Sequence, residues 1–318
     1  MNLRPMTEAD LPRVSSAWNA TLTYDQFTEQ RFGQITLGDP NYEPEGMPLA
    51  ESDTGDILGF SACVLRREVV GKDGGGSQDG FDHAYLKGFF VVPGEAGHDV
   101  GAKLIAAAES YARSANKRWL VLSEYDVSYA YPGLDVRYER LRDLLMQNGF
   151  QDTYTIECVA ADLHALDLPR MLEETWATMP ADVKLATWDP SMLPAMRNFV
   201  TEGEMPGWFP IGWEEHYQRR VDHRLILTKA DEIVAWAQFG SQKPTAGFGP
   251  ILVLPRLRGK NYGGLLLLEA MLRARAAGSD HMLAQWANTG FYIRYGWSIV
   301  RRFAVLRKDL TQQKGDSR

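Results

Sequence analysis

Two hydrophobic rhythms take turns along the chain. Short apolar runs read as buried or half-buried strands, and longer stretches with apolar residues three and four apart read as amphipathic helices. Strands are expected at 3–5, 48–51, 57–66, 84–92 and 119–123, and helices at 8–22 and 100–112. The order then recurs: a helix at 191–201, strands at 225–228, 233–240 and 248–254, a helix at 262–277 and a strand at 282–286. A helix near Thr289 and a final strand pair near 298–306 close the chain. The polar, glycine-rich stretch 72–80 reads as a loop. Thr7 and Asp189 are expected N-caps, and Pro190 suits a first helical turn. Strands alternating with helices imply an α/β protein with helices on both faces of its sheet.

The recurrence is an internal repeat. Around Phe89 the chain reads FFVVPGEAGHDVGAKLI, and around Pro250 it reads PILVLPRLRGKNYGGLLL. With Pro93 set on Pro255 the two run without a gap: apolar strand, Pro, Gly97 or Gly259, Gly101 or Gly263, then a helix. Downstream, Leu144 to Phe150 matches Tyr292 to Trp297 at a Gly–aromatic pair. Pro93 to Gly149 is 56 residues and Pro255 to Gly296 is 41, so the first copy carries 15 extra residues, expected within 126–137. The chain thus divides into domains at 1–165 and 181–318, joined by a linker at 166–180 with a short helix near 171–177. The duplicated copies are expected to pack as a pseudo-dimer within a monomer, with a homodimer as the alternative.

Composition narrows the function classes. The 318 residues are 45% hydrophobic and 24% charged, enough for two folded cores and unlike a disordered chain. The first ten residues lack the apolar stretch of a signal peptide, and no apolar run nears the ~20 residues of a membrane span. Cys63 and Cys158 form no C-x-x-C, and His164, His216, His223 and His281 show no ligand spacing, so no metal site is expected. These readings point to the cytoplasm. The net charge of -7 disfavours nucleic acid as a partner. An acidic field attracts amines, although such a charge equally serves solubility.

The chemistry concentrates after Val253. A buried strand ends at Pro255, and Arg258, Gly259, Lys260, Asn261, Tyr262 and Gly263 open a leucine-rich helix. Consecutive N–H groups at such a helix start form a nest for an anion, and the glycines let a phosphate approach. Arg258 and Lys260 add positive charge, so pyrophosphate is the natural ligand. The loop is neither a Walker sequence nor a dinucleotide fingerprint.

Val-Leu-Pro-Arg-Leu-Arg-Gly-Lys-Asn-Tyr-Gly-Gly resembles the acetyl-CoA loop of the GCN5-related N-acetyltransferases, the GNAT superfamily. Arg258 and Gly263 match the ends of the family pattern. Asn261 stands where the family usually has Gly, and Asn is the next best residue at positive φ. Asn288 followed by Phe291-Tyr292-x-x-x-Gly296-Trp297 resembles the second family motif. The resemblance covers both halves and implies two tandem GNAT-like domains, each a mixed, mostly antiparallel sheet flanked by helices.

The resemblance also implies a mechanism. Acetyl-CoA is the co-substrate, held by Leu252, Val253, Leu254, the loop Arg258–Gly264 and Asn288, with Gly264 completing the helix start. Backbone N–H groups of 252–254 would hold the pantetheine arm and polarise the acetyl carbonyl. A primary amine of a small molecule or peptide attacks directly, and Tyr292 protonates the departing sulfur. Glu202 and Glu204 are candidate bases; solvated surface carboxylates are the competing reading. The first copy departs at the decisive positions: Ala96 replaces Arg258, Asp99 replaces Asn261 and Leu145 replaces Tyr292. A carboxylate in a phosphate nest is unfavourable, so this copy is read as degenerate. Trp208, Phe209, Trp213 and Trp286 are candidates for an acceptor pocket, against core packing. Arg219, Arg220 and Arg224 read either as a basic face near the cofactor or as a solvated helix face. Two alternatives keep the fold: an acyl-CoA-binding sensor without turnover, which Tyr292 argues against, and an interaction protein without ligand, which the intact loop argues against.

Overall fold

The computed structural model describes residues 1–65, 82–94, 97–122, 124–125, 128, 130–204 and 223–311. In chain order the strands are β1 Asn2–Pro5, β2 Pro48–Glu51, β3 Ile57–Leu65, β4 His83–Val91, β5 Trp119–Leu122, β6 Leu134–Asp135, β7 Gln151–Asp162, β8 Val183–Thr187, β9 Arg224–Lys229, β10 Glu232–Phe239, β11 Thr245–Val253, β12 His281–Ala284 and β13 Ser298–Asp309. The helices are α1 Leu11–Thr21, α2 Glu29–Ile35, α3 Gly97–Ser114, α4 Glu139–Gln147, α5 Leu168–Trp176, α6 Leu193–Glu202, α7 Tyr262–Ala276 and α8 Thr289–Tyr292.

The chain forms two compact units. Among the described residues, the first takes those up to Ile156 together with 302–311, and the second takes 157–301. The sequence boundaries, 1–165 and 181–318, follow the repeat and miss this exchange. The chain changes unit within β7 and changes back within β13.

In the first unit the strand order is β1-β2-β3-β4-β5-β13, with β6 also on β13. Every pairing is antiparallel except β4 with β5. Helices cover both faces. Trp18 of α1 lies over Gly88 and Ala62, while Val100 and Leu104 of α3 lie over Gly59, on the opposite side of the pleat. In the second unit the order is β7-β12-β11-β10-β9-β8, and only β11 with β12 is parallel. Here α7 is buried nearly all round, with Gly264 to Leu268 enclosed, as a helix in the middle of a core must be.

The backbone repeats more fully than the residues do. Continuing without a gap from Pro93 on Pro255, Trp119–Leu122 falls on His281–Ala284, strand on strand. Asn116 at φ 55° falls on Gly278 at φ 91°, and Glu124 at φ 54° falls on Trp286 at φ 57°. The extra residues of the first copy therefore follow Glu124, where β6 forms. The expected helix starts hold. Asp189 accepts from the Ser191 N–H at 2.9 Å, and at Thr7 it is Asp10 that reaches back to the Thr7 N–H at 2.9 Å. The final strand pair near 298–306 is instead the single strand β13. The loop read at 72–80 lies outside the described residues.

Candidate active site

The site grows from a strand that loses one neighbour. β11 pairs with β10 from Phe248, opposite Phe239, up to Val253, opposite Ala235. Its parallel pairing with β12 covers only Thr245, Ala246 and Gly247, although β11 continues to Val253. Beyond Gly247 this pairing stops, and among the described residues that edge of β11 has no strand partner, leaving a gap between the two strands. Leu254 donates its N–H to Val234 at 3.1 Å, so it is committed to the sheet. Strand alternation sends the Leu252 N–H the same way and the Val253 N–H and C=O to the other side. Of the three donors expected at 252–254, Val253 is thus the one that faces the gap.

Past β11 the chain makes a short 3-10 turn, Pro255–Leu257, and enters α7 through two left-handed residues. Gly259 sits at φ 78° and Asn261 at φ 64°, as expected of an asparagine standing in for glycine. Among the described residues no side chain caps α7, so the N–H groups of its first turn point outward without a capping acceptor. Arg258, Gly259, Lys260 and Asn261 are exposed around this opening. The donors, the left-handed turns and the cations fit a pyrophosphate. Arg258 lies back along the strand end: Nε donates to Val253 O at 3.2 Å and Nη2 to Gly203 O at 3.5 Å, with Glu204 4.0 Å away. Close packing explains the two glycines of α7. A Cβ at Gly263 would lie 3.3 Å from the Phe291 ring, and one at Gly264 would collide with the Tyr295 hydroxyl.

Phe291 connects this loop to Tyr292, their ring centroids 4.9 Å apart. Tyr292 is 6% exposed and is held edge-on to Phe248 of β11 at 6.1 Å and against Trp297 at 5.1 Å. Its hydroxyl has no hydrogen-bond partner among the described residues. Burial pushes its pKa up to about 12, which keeps the proton in place at neutral pH. Asn288 is exposed at the start of α8, where its side chain makes no cap.

Residues 11–130 match a family model described as the acetyltransferase (GNAT) family. Solved structures extend the likeness over the whole chain. A GNAT protein from Sphaerobacter thermophilus aligns at TM-score 0.71 and 15% identity, covering 97% of this chain and 95% of that one. A tandem GNAT protein from the clavulanic acid biosynthesis pathway aligns at 0.64 and 14%, covering 98% and 99%. The chain is a tandem GNAT-fold protein. A GCN5-related glucosamine N-acetyltransferase region of a fungal multi-domain β-N-acetylglucosaminidase aligns at 0.77 and 14%, covering 96% of this chain but 38% of the fungal one. No curated protein matches the sequence. The family match falls on the first GNAT unit, whereas the open loop and Tyr292 lie in the second.

In the first GNAT unit the counterpart of the loop is different. Gly97 to Asp99, which fall on Gly259 to Asn261, are already helical as the start of α3, and Asp99 is exposed there. Leu145 is buried in the core at the place of Tyr292. Ala96 lies outside the described residues, as do Trp208, Phe209, Trp213, His216, Arg219 and Arg220.

The carboxylates proposed as bases lie at the surface. Glu202 accepts from Arg256 at 3.0 Å, and Arg256 also reaches Glu232 at 2.5 Å. Arg224 is not on a solvated helix face: it is fully buried on β9, with Nε 3.4 Å from Gln238. Trp286 is largely exposed at its left-handed position. Sequence reasoning missed Glu157. Its carboxylate accepts from the Thr289 hydroxyl at 2.5 Å, and its carbonyl from the Ala287 N–H at 3.0 Å, which ties α8 to β7. Nothing in the sequence marks it, because β7 reads as part of the first copy. Among the described residues no group of side chains is arranged to hold a metal, and no helix is long and apolar enough to cross a membrane.

Proposed function

We propose that this chain is an acetyl-CoA-dependent N-acetyltransferase whose second GNAT unit transfers acetyl directly to a primary amine of a small molecule or peptide. The observation that carries the reading is Tyr292: a buried ring packed between Phe248 of β11 and Phe291, with its hydroxyl protonated and without a partner among the described residues. In this reading the α7 nest, Arg258 and Lys260 take the pyrophosphate of acetyl-CoA, and the freed edge of β11 lies along its pantetheine arm. The Val253 N–H is placed to donate to the acetyl carbonyl as negative charge grows on its oxygen. The neutral amine forms the new C–N bond, the C–S bond breaks, and Tyr292 gives its proton to the sulfur. The amine's surplus proton leaves to water. No enzyme-bound acyl intermediate is required.

The test is free-thiol release from acetyl-CoA across a panel of primary amines. An amino sugar, the acceptor named for the fungal relative, belongs in the panel. Amine-dependent thiol release that disappears in Tyr292→Phe supports the reading. Thermal stabilisation by acetyl-CoA without amine-dependent release would favour a binding protein.

A further inference from the structure

The gap beside β11 has a counterpart in the first unit, and the two differ in what fills them. In the first unit β4 and β5 stay paired as far as Leu86 and Leu122 and then part. The pairing of β3 with β4 slips at Lys87, between Leu86 and Gly88. From that bulge the Lys87 side chain crosses to the chain leaving β5. Its ammonium pairs with Asp39, donates to Ser128 O at 3.1 Å and lies 4.7 Å from the centre of the Tyr125 ring. Tyr85, two residues earlier on β4, packs on Tyr125 at 5.3 Å, and Tyr125 donates to Asp39 at 2.9 Å. The Lys87 and Asp39 side chains are 3% and 0% exposed, and both tyrosines are buried. The gap is filled with protein.

The gapless correspondence sets Tyr85 on Gly247, Lys87 on Gly249 and Tyr125 on Ala287. Three large side chains are thus removed together in the second unit. The bulge itself is kept, since the pairing of β10 with β11 slips between Phe248 and Ile251. Among the described residues, nothing lies within 4 Å of a Cβ placed on Gly247 or Gly249. Gly249 sits at φ 120°, where glycine is needed for the backbone alone. Gly247 is not among the positive-φ residues, so its backbone conformation gives no reason for glycine. Phe248, between them, packs on Tyr292.

We propose that Gly247, Gly249 and Ala287 set the acceptor specificity of the second unit by keeping open the volume through which the amine reaches the thioester, the volume that Tyr85, Lys87 and Tyr125 close in the first. The inference rests on the acetyl-transfer reading. What has been removed is one alkylammonium and two phenol rings, so the open volume suits a primary alkylamine with a ring-sized body.

The experiment returns the first unit's residues to the second: Gly247→Tyr and, separately, Ala287→Tyr. Acetyl-CoA binding is read by calorimetry and acceptor kinetics by thiol release, over primary amines graded in size. Acetyl-CoA affinity should stay within about threefold, while kcat/KM for bulky amines falls by about tenfold or more and for the smallest amine much less. A size-graded loss is not what general damage to the fold produces. Unchanged acceptor kinetics in both variants overturns the inference and spares the acetyl-transfer reading. Loss of acetyl-CoA binding in both overturns it too, because the volume would then belong to the co-substrate. Acetyl-CoA binding with no thiol release from the wild-type chain with any amine removes the transfer reading, and this inference with it.

Discussion

Tyr292 stands out in the sequence through the resemblance of Phe291-Tyr292-x-x-x-Gly296-Trp297 to the second family motif, which is a local pattern. Its environment does not, since the rings of Phe248 and Trp297 come from other elements. Tyr292→Phe removes the hydroxyl and keeps those rings, so kcat should fall by about 10²-fold with little change in acetyl-CoA affinity. The pH dependence has a definite sign. Burial raises the Tyr292 pKa from its ordinary value of 10.0 up to about 12, so loss of its proton should not depress turnover below pH ~10. Turnover should instead rise through the acceptor amine's own pKa and stay high, and an alkaline decline beginning near neutrality would exclude Tyr292 as the acid. Lys87 makes the opposite case. In sequence it is one lysine in an apolar strand; only the bulge and Asp39 show what it does. Burial lowers its pKa, with Asp39 opposing. Lys87→Met leaves the buried Asp39 carboxylate without its counter-ion and should cost about 3–5 kcal/mol in chemical denaturation, whereas Lys87→Met with Asp39→Asn, which keeps an acceptor for Tyr125 and the Asn41 N–H, should recover part of that loss. Equal destabilisation by the single and double variants would show that the pair contributes nothing specific.

At the scale of elements, pattern succeeded where a strand is enclosed and failed where exposed residues open or interrupt it. β2, β3 and β4 emerged within a residue or so because their residues are enclosed. β7 was overlooked because Gln151 to Thr155 are all exposed and carry no alternation. β13 looked like two strands because Arg301 and Arg302 interrupt its apolar run, yet the backbone continues through them. The α7 start was legible as a Gly-rich basic turn, and its left-handed asparagine gives a direct test. Asn261→Val should weaken acetyl-CoA binding, since a β-branched residue resists φ 64°, while Asn261→Gly should preserve it. Arg258→Glu should weaken binding more strongly by reversing charge at the nest. The first copy's Gly101 is a poor control, because any side chain there strikes Leu144. Exposed Asp99 is a better one: Asp99→Arg should leave acetyl-CoA affinity unchanged, with one site per chain by calorimetry. Two equal sites per chain would overturn the reading of the first copy as degenerate.

At the scale of the whole molecule, a repeat predicts two copies but not which copy owns each strand. The strand beside β5 comes from the far end of the chain, 302–309, with Leu306 opposite Leu122 and Asp309 opposite Trp119. It brings fully buried Phe303, Val305 and Leu306 into the first unit. Arg307 reaches Glu124 at 2.7 Å, and Lys308 donates to Asn148 O at 2.6 Å and pairs with Glu109. In the same way β12 relies on residues 159–162 of β7, which carry buried Val159 and Ala161. Cutting the chain after residue 165 would therefore take β13 from the first unit and the end of β7 from the second rather than separate two finished domains. Removing such a strand exposes the row of backbone groups on its neighbour and the apolar residues it covered. Fragments 1–165 and 166–318, expressed alone, should lack a cooperative thermal transition and associate through their open edges. Mixed together, they should regain a cooperative melt, because each supplies the strand the other lacks. The measurement is circular-dichroism melting with size-exclusion chromatography on each fragment and on the mixture. A fragment 1–165 that melts cooperatively as a monomer would show that 302–309 decorates a unit already complete, and would restore the boundary that the repeat alone suggests.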